Sequence, residues 1–199
     1  NGVKVLGVVH KDGFAAPPRE KYRDFNEILS GPEVPPVDGR NDDVKAPLEI
    51  IYTSGTTGDP KGVLIKGNRM PMFKLLAQFV WGYTDADKLY TGLSLTHGNA
   101  QAVTLVPSLM LGVPSVISRK FTKSRLWDIC RKHGCTTFSP LGGMMMGIYS
   151  EPRRPNDADN PVKKVISAGT PIAIWEDFEK RFDVKIPDEE AESIMTVGQ

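Results

Sequence analysis

The sequence predicts an α/β protein: a mostly parallel sheet flanked by helices. Three observations carry this. Short, β-rich apolar runs alternate with stretches whose apolar residues recur at helical spacing. The helical stretches are long enough to return the chain from the end of one strand to the start of the next, as parallel pairing demands. Glycine or proline punctuates most of the junctions. Repeated strand–helix–strand units of this size imply helices on both faces of the sheet.

Taken in order, Val3 to Val9 is nearly all apolar and reads as a buried strand. A helix is expected from Arg19 to Leu29, with Tyr22, Phe25, Ile28 and Leu29 on one face. Gly31 to Pro47 is a connector, broken by Pro32, Pro35, Pro36 and Gly39. The apolar run Leu48 to Tyr52 leads into a polar loop, and a second apolar run, Val63 to Ile65, follows it. From Gly67-Asn68 a helix should present Met72, Leu75, Leu76, Phe79 and Val80 to the core. After a turn at Asp85 to Asp87, Lys88 to Leu95 reads as a strand. The next helix places Ala102, Leu105, Val106, Leu109 and Met110 on one face, bends at Pro107 and ends at Gly112.

Val113 to Ser118 is the following strand. Thr122 is expected to cap a helix carrying Leu126, Ile129 and Cys130, stopped by Gly134. A short strand, Thr136 to Ser139, precedes a helix for which Ser139-Pro140 reads as cap plus first-turn proline. Its run Met144-Met145-Met146 suits adaptable packing, since neither Cys nor His flanks it. After a polar loop, Glu151 to Pro161, comes a strand, Val162 to Ala168. Thr170-Pro171 repeats the cap-and-proline pattern before a helix lined by Ile174, Phe178 and Phe182, and Val184 to Ile186 is a last strand. The organisation expected is therefore 1–47 as an N-terminal strand, helix and connector, 48–186 as the α/β unit, and 187–199 as an acidic tail without an assigned element.

Bulk properties exclude several classes. The 199 residues are 40% apolar and 25% charged, an ordinary globular balance. A formal net charge of +1 gives no long-range attraction to nucleic acid or anionic membranes. No apolar stretch approaches the roughly 20 residues of a membrane span. The two cysteines, Cys130 and Cys135, cannot complete a four-ligand zinc site and read as buried free thiols; low cysteine use fits a reducing compartment, so a cytoplasmic location is expected. The sequence does not specify an oligomeric state.

The chemistry concentrates in Tyr52-Thr53-Ser54-Gly55-Thr56-Thr57-Gly58-Asp59-Pro60-Lys61-Gly62-Val63. A glycine-rich, hydroxyl-rich loop between two strands is a phosphate cradle. Gly55 and Gly58 let the backbone approach an anion. Main-chain N–H groups and hydroxyls donate to phosphate oxygens, and Lys61 supplies a mobile charge. The spacing fails the Walker A pattern, because Lys61 is followed by Gly62 rather than Ser or Thr. It also fails the dinucleotide fingerprint, because a strand rather than a helix follows, and no kinase catalytic signature is present.

The twelve residues closely resemble the phosphate-loop signature of the adenylate-forming (AMP-binding) superfamily, acyl-CoA synthetase type, with Asp59 at the free position. Leu95-Thr96-His97-Gly98 is similar to a second motif near the acyl pocket; on its residues alone His97 reads more readily as a helix-capping or core histidine, and the motif order of the family brings the pocket reading level with it. Arg119-Lys120-Phe121, with Trp127 beyond it, resembles a segment preceding a helix in these proteins. Ser167-Ala168-Gly169-Thr170-Pro171 resembles the turn that lines the adenine and acyl pockets, with Thr170 where alanine is common.

The resemblance implies the central part of the large N-terminal domain of an adenylate-forming enzyme. It implies a ligase that activates a carboxylic acid with ATP and Mg2+ as an acyl-adenylate, then transfers it to coenzyme A; a non-catalytic nucleotide-binding module and an adenylation domain loading a carrier protein are the alternatives. Thr53, Ser54, Gly55, Thr56, Thr57, Gly58 and Lys61 would hold the ATP phosphates. Ala168, Gly169, Thr170 and Pro171 would line the adenine and acyl pocket, and His97 would gate the acyl side. No residue is assigned to a metal. The resemblance covers Leu48 to Ile186; the segment expected next, with its Thr and Glu contacts, has no counterpart in Pro187 to Gln199, so a partial domain is expected. Phe79, Trp81, His97, Met144 to Met146 and Tyr149 are candidates for an apolar acyl pocket, or equally for a core.

Overall fold

In the computed structural model the described residues are 7–8, 23–24, 27, 29–33, 35, 43–53 and 60–187. The chain divides into two compact units, Asn1–Arg40 and Asn41–Gln199. In the first, β1 (Gly7–Val8) pairs in parallel with β2 (Arg23–Asp24). The helix expected from Arg19 is corrected here: Arg23 and Asp24 are extended, and among the described residues of this stretch helical backbone occurs at Glu27 and Leu29. The ladder partner at Gly7–Val8 outweighs a weak local helix preference.

The second unit opens with an antiparallel hairpin, β3 (Pro47–Thr53) and β4 (Lys61–Lys66), in which Thr53 faces Lys61 and Ile51 faces Val63. Then come α1 (Met70–Leu75), which continues as a π-helical turn over Leu76–Val80, and β5 (Leu89–Thr91). A second π turn, Ala100–Leu105, runs into α2 (Val106–Leu111), which ends on Gly112 at φ 70°. β6 (Ser115–Ile117), α3 (Leu126–His133), β7 (Thr137–Phe138), α4 (Gly142–Tyr149), β8 (Lys164–Val165) and α5 (Trp175–Phe182) complete the unit.

β5 pairs in parallel with β6, and β7 in parallel with β8. Backbone bonds from Thr137 N to Lys88 O (3.2 Å) and Ser139 N to Tyr90 O (3.0 Å) lay β7 against the free side of β5. Lys185 bridges in parallel to Lys164 on the far side of β8. The lateral order is therefore β6, β5, β7, β8, Lys185. The chain steps from β5 to β6 and then crosses back over β5 to reach β7, so the connecting helices must lie on opposite faces.

The side chains confirm the two faces. Successive strand residues point to opposite sides. Leu89 packs with Ala77, Trp81, Tyr83, Val103, Val113 and Ile166, whereas its neighbour Tyr90 packs with Leu126, Cys130, Phe138, Met145, Val165 and Phe178. Val165 and Ile166 divide between the same two cores. Ile174, Phe178 and Phe182 all turn inward as the spacing predicts. Cys130 and Cys135 are buried free thiols, and the Cys135 N–H bonds the Cys130 carbonyl at 3.0 Å as the chain leaves α3.

Two helical faces differ from expectation. Phe79 is 79% and Leu75 54% exposed, and Met72 is also exposed; Leu76 and Val80 face the core as expected, and Ala77 joins them. In the next helix Val103, Thr104 and Pro107 are buried, Ala102, Leu105 and Val106 are half-buried, and Leu109 and Met110 are exposed. Both helices contain a π turn, and its i→i+5 pattern rotates the inward face away from a 3.6-residue period. The proposed caps also move. Thr122 precedes a 3-10 turn without a side-chain capping bond. Ser139 is buried against the Thr104 hydroxyl at 2.8 Å, and α4 begins three residues later. At the last helix Pro171, not Thr170, occupies the cap of a 3-10 turn over Ile172–Ile174.

At the amino ends of the strands a buried carboxylate ties the elements together. Asp87 accepts from Lys164 Nζ (2.9 Å), the Thr136 hydroxyl (2.8 Å) and the Thr84 N–H (2.8 Å), and Lys164 Nζ also donates to the Gly82 carbonyl. Burial pushes the Asp87 carboxyl up, but the Lys164, Thr84 and Thr136 donors more than offset this and hold its pKa below the ordinary value. A depressed folded pKa contributes stability that is present above the unfolded pKa, near 3.9, and lost as pH falls through the folded pKa. Asp87→Asn should therefore lower stability at pH 7 by about 1–3 kcal/mol, less than a fully enclosed pair because Lys164 is partly exposed. Urea titrations at stepped pH should show the gap between wild type and variant closing below about pH 4. A gap that stays constant down to pH 2 contradicts the assignment.

Candidate functional site

The carboxyl ends of parallel strands, where the strand order reverses, are where open α/β sheets bind ligands. Here the reversal lies at β5 and β7. The segment Leu93–Asn99 leaves β5, Leu141 leaves β7, and Ala168 follows β8. These three segments reach one cavity of about 630 Å3. Its other walls are the hairpin (Glu49, Ile51, Tyr52, Val63, Ile65), the start of α1 and its π turn (Met70, Met72, Phe73, Leu76), and the helical strip Gln101, Ala102, Val103 and Val106.

A close backbone contact fixes the floor. Leu141 and Ala168 form a parallel bridge, and the Gly142 N–H donates to the Ala168 carbonyl at 3.0 Å. A Cβ on Gly142 would lie 2.1 Å from the Gly169 carbonyl oxygen, so only glycine permits this approach. Gly169 itself turns the chain at φ 75°. Thr170 is buried, and Pro171 starts the next helical turn. Of the four turn residues singled out in the sequence, Ala168 lines the cavity.

The wall after β5 is held by short hydrogen bonds. His97 Nδ1 accepts from the Asn99 N–H at 3.1 Å, so the neutral ring carries its proton on Nε2. The Ser94 and Thr96 hydroxyls bond at 2.9 Å, and the His97 N–H reaches the Ser94 carbonyl. Gln101 Nε2 donates to the Leu95 carbonyl (2.8 Å) and to Glu49 Oε2 (3.0 Å), joining this turn to the hairpin. Two buried polar atoms of cavity-lining residues, Asn99 Oδ1 and Trp81 Nε1, and the Ser167 hydroxyl beside Ala168, have no hydrogen-bond partner.

The hairpin brings Thr53 and Lys61 opposite one another at the base of the glycine-rich loop, next to Tyr52 in the cavity wall. Ser54, Gly55, Thr56, Thr57 and Gly58 lie outside the described residues, as does the side chain of Thr53. The apolar-pocket candidates divide. Trp81 and His97 line the cavity, Phe79 is exposed, and Met144, Met145 and Tyr149 pack in the opposite core. Glu49, Gln101 and Gly142 were missed. Glu49 was legible in one way: the β3 alternation puts it on the same face as Ile51, where an apolar residue belongs.

The chain belongs to the AMP-binding enzyme family, whose pattern matches residues 4–188. Among individual relatives it is 35% identical over 139 residues to long-chain fatty acid transport protein 5 of Homo sapiens, a match covering 69% of this chain and 20% of that one. It is 33% identical over 153 residues to long-chain fatty acid transport protein 2 of Rattus norvegicus, covering 76% and 24%. The chain thus spans about a fifth to a quarter of the length of these curated relatives. The O-succinylbenzoate coenzyme A synthetase of Bacillus subtilis, solved with ATP and magnesium ion, superposes with a TM-score of 0.69 at 19% identity, over 91% of this chain and 38% of that one. A benzoate CoA ligase of Burkholderia xenovorans gives 0.67 at 19% identity, over 82% and 33%. These likenesses show the fold. Among the described residues no helix is long and apolar enough to cross a membrane.

Gly142→Ala tests the floor of the cavity. A methyl placed 2.1 Å from a backbone oxygen forces Leu141–Gly142 and Ala168–Gly169 apart. The expected loss is about 2–3 kcal/mol, the upper part of the overpacking range, read as a lower urea midpoint. A change under 0.5 kcal/mol would mean the two segments separate freely.

Proposed function

We propose that this chain is the phosphate-loop and acyl-pocket portion of an ATP-dependent acid–thiol ligase. The reaction is attack of a carboxylate on the α-phosphorus of ATP, giving an acyl-adenylate and pyrophosphate, followed by transfer of the acyl group to coenzyme A. The observation carrying this reading is the cavity itself: it sits at the strand-order reversal and is walled by the hairpin whose turn holds the twelve-residue signature. Family membership and the acyl- and aryl-CoA ligase folds support it.

The residues fit a nucleoside triphosphate. The loop's hydroxyls and glycines offer donors at close range, and Lys61 adds a charge where departing pyrophosphate accumulates it. Thr53, Ser54, Thr56 and Thr57 are the hydroxyl donors, and Gly55 and Gly58 the points of backbone approach. Ala168 to Pro171 supply a backbone-lined turn for adenine, beside the unpartnered Ser167 hydroxyl. Among the described residues no group of three His, Cys, Asp or Glu is placed to hold a metal ion, so Mg2+ would arrive with the triphosphate. His97, with Nε2 protonated and its ring in the cavity wall, borders the acyl side.

The acid is a long-chain fatty acid in this reading. The relatives bear that name, and the lining is dominated by Ile51, Val63, Ile65, Phe73, Leu76 and Val106, which favour an alkyl chain over a polar one. The proposed divisions are the loop-bearing α/β unit at 48–186, with 1–47 leading into it.

Acid-dependent exchange of labelled pyrophosphate into ATP by the intact protein tests the first half-reaction, and acyl transfer to free coenzyme A the second. Lys61→Ala should slow exchange by about 10²–10³-fold, with the urea midpoint unchanged because Lys61 is exposed. ATP binding without acid-dependent exchange would make the chain a nucleotide-binding module. Exchange without transfer to coenzyme A would point to a carrier protein as acceptor.

A further inference from the structure

We propose that Glu49 determines which acids the cavity admits, excluding those whose tail carries a second carboxylate. The inference rests on the acyl-pocket reading above and adds a residue-level rule of selectivity to it.

Strand alternation puts Glu49 on the hairpin face that also carries Ile51, and their ladder partners are Ile65 and Val63. All four line the cavity, so one carboxylate stands in an otherwise apolar wall. It is half-buried and fixed in place. Gln101 Nε2 donates to Glu49 Oε2 at 3.0 Å, and its second amide hydrogen goes to the Leu95 carbonyl at 2.8 Å, which prevents the amide from swinging away. Glu49 lies four residues before Thr53, about 13 Å along the strand from the base of the loop at ~3.3 Å per residue. An acid whose carboxylate is held at the loop end therefore passes its tail beside Glu49.

An alkyl tail loses little there, because it packs on Ile51, Val63 and Ile65. A tail ending in a second carboxylate meets a like charge in a partly desolvated wall, where repulsion is several times stronger than in water. The other ionisable groups in the lining do not cancel this. Arg69 is exposed, beyond the end of β4, where water and salt screen it. His97 stands in the β5 turn that Gln101 joins to the hairpin, and its Nδ1 accepts from the Asn99 N–H.

The test compares dodecanoic acid with dodecanedioic acid, whose extended length matches the distance from the loop base to Glu49, each competing a fluorescent fatty-acid analogue from the intact protein. Wild type should prefer the monoacid by about tenfold or more. In Glu49→Gln, which keeps the size and a hydrogen-bonding partner for Gln101, the preference should fall to about twofold while affinity for dodecanoic acid holds. Glu49→Ala, which removes the side chain altogether, should narrow the preference in the same way and serves if the Gln variant folds poorly. A tenfold preference that survives in a folded variant overturns the role of Glu49 and leaves the acyl-pocket reading standing. If dodecanoic acid fails to displace the analogue from wild type, the acyl-pocket reading falls, and this inference with it.

Discussion

The placement of the site depends on one contact between two backbones, the approach of Gly142 to Gly169. Two parallel strands diverge at their carboxyl ends unless something holds them, and here the Leu141–Ala168 bridge extends the β7–β8 ladder beyond its last regular pair. The Gly142 N–H would be an unpaired donor at the start of α4, but the Ala168 carbonyl accepts it at 3.0 Å. A side chain at 142 would break both arrangements. The turn at 168–171 is therefore positioned by main-chain geometry.

The remainder of the α/β unit holds that contact in place. Leu89 and Tyr90, adjacent in sequence, are each fully buried in a different core, which is possible only for a strand covered on both sides. The Asp87–Lys164 pair closes the opposite end of the sheet, where strand divergence would otherwise begin. On the outer flank Arg181 is buried, donating to Asp157 Oδ2 (2.7 Å) and to the carbonyls of Tyr149, Glu151 and Pro152 while lying 4.7 Å over the Phe182 ring. The polar loop after α4 is thereby held from both sides, by Arg181 at Glu151, Pro152 and Asp157 and by Arg131 at the Asn156 and Asp159 carbonyls, each planar fork serving several acceptors at once.

The parts of this architecture that were legible in the sequence follow from short-range physics. Gly112 and Gly134 end their helices at positive φ, as their place after apolar periodic runs implies. The hairpin was legible from two apolar runs around a glycine-rich loop, and the α5 face from Ile174, Phe178 and Phe182. The failures have a common origin. Met72, Leu75 and Phe79 obey a 3.6-residue period that the π turn at Leu76–Val80 abandons, and no residue pattern announces that turn. Ser139 has the composition of a cap, yet its hydroxyl is taken by Thr104, 35 residues away in sequence. Glu49 and Gln101 are 52 positions apart, so their pairing was not visible before the hairpin and the helix had been brought together.

That pairing bears on how the hairpin works. A two-stranded ribbon is marginal alone, and its outer face leaves Leu48, Ile50 and Leu64 exposed. It is anchored through its inner face: Ile65 is buried, Glu49 is bonded to Gln101, and the Asn68 N–H returns to the Val44 carbonyl at 2.7 Å. These contacts brace the strands carrying Thr53 and Lys61 from the cavity side. An alkyl chain packed against Ile51, Val63 and Ile65 would add apolar burial to that same face, at roughly 25 cal/mol per Å2 removed from water. Filling the cavity and steadying the base of the loop would then be one event, because the hairpin that walls the cavity also carries the loop.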